Sequence, residues 1–210
     1  MSNIKLSENA IDLILRFEIG GSRKYYERYL SRPSWPEGSS GVTIGFGVDL
    51  GYEAEILSSL GSILSSDQIA RLKRTVGLKG RRAQQAVSGV RDIVIPWDFA
   101  YNYFVTKTAP KYIKETLEAF PGSEDLPDDA FGALVSIIFN RGPLIDSTDR
   151  RKEMRNIRDI LANDGVTNDS IARIADEVRS MARLWPDNVK SDNDLHDRRL
   201  AEAKLIEDCI

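Results

Sequence analysis

One cysteine and one histidine stand in 210 residues, and these two scarcities exclude more than any abundance does. With Cys209 alone, no internal disulfide can form. With His196 alone, neither an HExxH helix nor a three-histidine zinc site can be built, so no metal is expected. A Cys209–His196 dyad is a poor candidate, because the last turn of a chain usually frays. A Ser–His–Asp arrangement would have to use His196, which lies in the polar run 190–197, and no nucleophile-elbow motif occurs. If the chain is an enzyme without a cofactor, and none is expected, its acid–base chemistry rests on carboxylates.

Long apolar runs are missing too. The longest, Ala133 to Phe139, is far short of the roughly 20 residues that span a bilayer, so no membrane insertion is expected. The first twenty residues carry Glu8, Asp12 and Glu18 and no small-residue cleavage site. The expectation is therefore a chain made in the cytoplasm without a Sec signal. Excess positive charge is absent as well: 29 Lys and Arg against 32 Asp and Glu leave a net −3. That balance argues against a dedicated nucleic-acid partner. Local basic clusters do occur at Lys79, Arg81 and Arg82, at Arg150, Arg151, Lys152 and Arg155, and at Arg198 and Arg199. Each reads most simply as a solvated helix end or face, with a small anion-attracting area left open.

What is present is ordinary globular material, 41% hydrophobic and 29% charged, which excludes disordered and fibrous architectures. At about 150 residues per domain the length predicts one domain over 1–210. Ser7 is a good N-cap for a first helix with Ile11, Ile14, Leu15 and Glu18 on one face, stopped by Gly20 and Gly21. From Tyr25 the texture is that of a loop, rich in Pro, Gly and Ser, leading to a strand over Val42–Val48. Its apolar residues alternate as Val42, Ile44, Phe46 and Val48. After Asp49 the pattern is helical. Ser66 reads as a cap, Pro96 as a first helical residue, and Pro110 as a break or restart. The helix from Pro127 to Phe139 is apolar nearly all round, which marks it as the buried central one. Amphipathic stretches follow around 154–161, 171–184 and 200–206. The predicted class is α+β, mostly helical, with a small N-terminal β-hairpin region at about 20–60 and a helical lobe at about 61–210 plus the first helix.

Few residues stand out chemically. Glu18, at the end of an apolar stripe, is expected to lose solvation, which favours the protonated form a general acid needs; it also reads as a helix-terminal Glu reaching water. Thr43 and Asp49 have the same parity, so they face the same side only while the strand stays extended, and Gly45 and Gly47 between them permit a bend. Thr43 can hold a water and Asp49 can stay ionised beside it. Their plainer readings are a β-branched strand former and an N-cap for the next helix. Trp35, between Pro33 and Pro36, can stack on a sugar or anchor its loop. The spacing of Gly45, Gly47 and Gly51 does not fit a dinucleotide loop.

The ordered set of Phe17-Glu18, the run GVTIGFG over 41–47, Phe139-Asn-Arg-Gly142 and the run RRLAEA over 198–203 resembles phage-type lysozymes. The pesticin-like branch is the closer likeness, through Trp35-Pro36, the runs 40–45 and 49–52, Lys152-Glu-Met-Arg155 and Met181 to Trp185, and the likeness spans about Leu6 to Glu207. The resemblance implies a lysozyme-like fold and a muramidase that hydrolyses the β-1,4 bond between N-acetylmuramic acid and N-acetylglucosamine. It assigns Glu18 as general acid, Thr43 as the water-positioning residue and Asp49 as second carboxylate. Glu37, at the place where T-even phage enzymes put their aspartate, is the alternative. Trp35, Asn140 and Arg141 are the expected substrate contacts, with lobe packing an equal reading for Asn140 and Arg141. Inversion is implied. The expected partner is peptidoglycan glycan, acted on by a monomer in the periplasm after delivery by a phage or secretion apparatus, and an immunity protein is open. A lytic transglycosylase and a non-catalytic glycan-binding module are the competing readings.

Overall fold

The computed structural model describes residues 4–185 and 195–210, and over these the protein is predominantly helical with one two-stranded antiparallel sheet. Its residues group into two compact units, Met1–Phe17 with Lys107–Ile210, and Glu18–Thr106. The small lobe expected at about 20–60 falls inside the second unit, which also takes the helices up to Thr106.

The first unit is built round α8, Asp128–Arg141, whose residues from Ala130 to Ile138 are all buried. Asp128 and Asp129 occupy its first turn, where the helix dipole favours negative charge, and Gly142 in the left-handed region closes it. α8 packs on α7, Ala109–Ala119, and on α11, Leu195–Glu207. α10, Asn168–Ser180, packs on α9, Lys152–Asp164, and on α11. α1, Glu8–Ile19, begins in this unit, with Ser7 Oγ accepting from the Ala10 amide as expected of the cap. A Cβ at Gly132 would lie 2.2 Å from that of Ala10, so α1 and α8 cross where neither chain carries bulk.

Arg198 and Arg199 are not solvated, as the charge pattern suggested, but 1% and 0% exposed. Both converge on buried Glu202. Arg198 Nε lies 3.2 Å and Arg199 Nη2 3.0 Å from Oε1, and Ser136 Oγ donates to the same oxygen at 2.6 Å. Arg199 Nε is 3.0 Å from Oε2, an ion pair without hydrogen-bond alignment. Burial holds the Arg199 guanidinium below its usual range, and the Glu202 charge opposes this. The residues needed for this were visible as i,i+3 and i,i+4 spacings to Glu202, the distances that bring side chains together on a helix.

The second unit starts at the end of α1. The stretch after it, expected as loop, forms α2, Arg23–Tyr29, capped by Ser22. The strand expected over Val42–Val48 is instead a hairpin, β1 Thr43–Ile44 and β2 Val48–Asp49. Gly45 (φ 59°) and Gly47 (φ 81°) adopt left-handed backbone and turn the chain between them. Then follow α3, Ile56–Ser59, α4, Ser66–Lys73, α5, Arg81–Val87, and α6, Trp97–Tyr103. The cap of α4 is Ser65, in a capping box with Gln68, rather than Ser66. Between α6 and α7 the helix widens to a π-turn at Phe104–Thr108. Pro110 explains it: a ring without an N–H that crowds the carbonyl four residues back. No helix among the described residues is long and apolar enough to cross a membrane.

Candidate functional site

Thr43 and Asp49 are direct partners across the hairpin. Cross-strand partners project from the same face, so the two candidates share a side although the strand between them has folded back. β1 is held on its other edge by Ser34: the Thr43 amide donates to the Ser34 carbonyl at 2.8 Å and the reverse bond is 3.0 Å. Phe46, at the turn, is buried against Tyr26 and Trp97, each with ring centroids 5.0 Å away, and Phe104 at 6.3 Å. Tyr26 is itself fully buried with its hydroxyl donating to the Ile95 carbonyl, and burial pushes that phenol well above its usual range. The aromatic cluster thus clamps the turn that carries both residues.

Asp49 does not cap the next helix, whose N-cap is Glu55. Its carboxylate accepts instead from two glycine amides. Gly41 N lies 3.0 and 2.9 Å from Oδ1 and Oδ2, and Gly51 N 2.7 Å from Oδ1. The fit admits no side chain, since a Cβ at Gly41 would lie 2.2 Å from Oδ1 and 2.4 Å from the Gly51 nitrogen. A carboxylate has about four acceptor positions. These three contacts leave one, on Oδ2.

Glu18 is the penultimate residue of α1 and is exposed. The apolar stripe of Ile11, Ile14 and Leu15 continues through Ile19, not Glu18, so the helix does not desolvate this carboxyl. Gly20 and Gly21, both left-handed at 70° and 72°, end the helix immediately after it. A Cβ at Gly20 would meet the Tyr25 ring at 2.9 Å, which fixes where α1 stops relative to α2.

Trp35 is half-buried and donates from Nε1 to the Ser40 carbonyl at 3.1 Å, the loop-anchor geometry. Glu37 is exposed and, among the described residues, the one non-glycine with positive φ, at 81°. Asn140 and Arg141 belong to the first unit. Asn140 Oδ1 accepts from buried Arg199 at 3.3 Å. Arg141 donates to the Arg150 carbonyl and lies over the Trp185 ring at 5.4 Å. Burial, with Arg151 and Arg199 adding to it, pushes the Arg141 guanidinium down to about 10. Both therefore have structural partners, consistent with lobe packing. Half-buried Cys209 donates to the Leu205 carbonyl, and burial pushes its thiol up, away from the reactive thiolate.

Residues 14–116 are similar to a family described as a domain of unknown function (DUF8812). That span contains Glu18, Trp35, Glu37, Thr43 and Asp49 and leaves out Asn140 and Arg141. No curated protein matches the chain.

Proposed function

We propose that this chain is a peptidoglycan hydrolase of the muramidase type on a lysozyme-like fold. The observation that carries the reading is the register that sets Thr43 opposite Asp49 on one hairpin face, in the same unit as Glu18. Cleavage of a glycosidic bond needs a carboxylic acid at the leaving oxygen and an ionised group that activates water across the ring. Glu18 is the acid. A sugar lying over it removes its water, and a carboxyl out of water favours its protonated form. The Thr43 hydroxyl and the remaining acceptor position of Asp49 Oδ2 hold the attacking water. Its oxygen bonds to the anomeric carbon, its proton passes to Asp49, and the Glu18 proton leaves with the departing hydroxyl. One displacement by water inverts the centre.

Asp49 is preferred to Glu37 because it faces Thr43, whereas Glu37 sits in an exposed turn. On this reading the substrate lies beyond the cytoplasmic membrane, and delivery by a phage lysis system or secretion apparatus, with an immunity protein in the producing cell, belongs to the same proposal. A second reading, a glycan-binding module that does no chemistry, is favoured by one feature, the backbone bonds that already occupy most of Asp49. Digestion of purified peptidoglycan separates them. A muramidase releases soluble muropeptides and Glu18→Gln does not; a binding module releases none from either protein.

A further inference from the structure

Among the described residues, Tyr52 is the most exposed of the large apolar and aromatic side chains, at 65%, yet its position is fixed. Lys79 Nζ sits 3.3 Å from the ring centroid, covering one face. The hydroxyl reaches the Ser39 carbonyl at 3.5 Å, and the Tyr52 amide donates to the Asp49 carbonyl at 3.0 Å. Ser40, next to Ser39, accepts from Trp35 Nε1 at 3.1 Å and from the Gly80 amide at 2.9 Å. Tyr52 and the backbone beside Lys79 are thus tied to the short loop that also anchors Trp35, and Gly51 beside Tyr52 binds the Asp49 carboxylate.

A single exposed tyrosine is ordinary. Here it stands with Lys79, and Arg81 and Arg82 follow in the first turn of α5; all three are exposed, and among the described residues none of them lies within ion-pair distance of a carboxylate. Three unneutralised cations in four positions are conspicuous in a chain of net charge −3. A flat ring with one face free is what a pyranose stacks on through its C–H groups, and neighbouring cations attract a strand that carries carboxylates. We infer that Tyr52 with Lys79, Arg81 and Arg82 forms a subsite for an anionic glycan strand, the ring stacking on a sugar and the cations holding its carboxylates. This rests on the muramidase reading for its ligand and deepens it.

The test is co-sedimentation with purified sacculi at low and high salt, beside binding of a neutral chito-oligosaccharide. Tyr52→Ala is expected to weaken both about tenfold, while Tyr52→Phe, which keeps the ring, stays within about twofold of wild type. Arg81→Ala with Arg82→Ala should weaken sacculus binding, flatten its salt dependence, and leave the neutral sugar unaffected. In hydrolysis, Tyr52→Ala should raise KM with kcat within about twofold, the signature of lost substrate binding. Wild-type binding by Tyr52→Ala, or an unchanged salt dependence in the double variant, overturns the subsite even if muropeptides are released. Tyr52-dependent binding without any released muropeptide upholds the subsite and removes the muramidase.

Discussion

Glu37 and Asp49 offer the same functional group and are held in opposite ways. Asp49 is bonded to two backbone amides; Glu37 carries a left-handed backbone at φ 81°, which costs a non-glycine residue about 1–2 kcal/mol. Glu37→Gly should therefore leave stability unchanged or raise it by up to about 1 kcal/mol, the gain being trimmed by glycine's freedom in the unfolded chain. It should also keep hydrolysis intact, and loss of hydrolysis would transfer the second-carboxylate role to Glu37. Denaturant titration and a turnover assay on one preparation read both. The identities of these residues were legible in the chain, but their environments were not. A one-residue change of phase puts Ile19 rather than Glu18 on the buried stripe, and stripe width cannot be read that finely from periodicity. Arg198 and Arg199 are buried against the charge pattern for the related reason that charge predicts exposure only when no partner shares the interior. Their partner is Glu202, and Glu202→Ala, which strands two buried guanidiniums, should cost about 3–5 kcal/mol.

At the scale of elements, the hairpin is what sets Thr43 opposite Asp49. Alternation of Val42, Ile44, Phe46 and Val48 predicts one strand, whose parity puts Thr43 and Asp49 on one side only while it stays extended, and it does not stay extended. Left-handed Gly45 and Gly47 fold the strand back, and antiparallel pairing returns the two residues to one face. Turn type depends on backbone signs that alternation does not encode, although the glycines themselves marked where a bend was allowed. Gly41 is the residue on which this arrangement is most exposed to change. Gly41→Ala forces its Cβ into the Asp49 carboxylate and the Gly51 backbone, so activity should be lost together with about 1–3 kcal/mol of stability, read by denaturation and by muropeptide release. The central helix α8 was the most readable element, because nine consecutive buried residues leave little room for another interpretation. α2 was hidden by the Pro- and Gly-rich texture that begins just beyond it.

For the molecule as a whole, helical predominance and the small β-element followed from the pattern, while the grouping of α4 to α6 with the hairpin depends on contacts distant in sequence. Each unit carries an ion pair that responds to acid. The Arg71 hydrogen bonds hold the Asp92 carboxyl below its usual range in one unit, and the Arg183 hydrogen bond does the same for Asp149 in the other. A lowered folded value means stability that is present above the unfolded value of about 3.9 and is lost as pH falls through the folded one. Tm should therefore decline below about pH 4, and Asp92→Asn with Asp149→Asn should flatten that decline modestly, as exposed pairs contribute little. Thermal melts between pH 2 and 6 check it.

The central claim is that water, placed by Thr43 and Asp49, attacks a bond that Glu18 protonates. Mass spectrometry of peptidoglycan digested in heavy-oxygen water tests it most directly, with Glu18→Gln as the paired control. The account predicts muropeptides whose intact reducing ends carry one heavy oxygen, and none from the variant. Anhydro ends without label, or no soluble product from either protein, would contradict it.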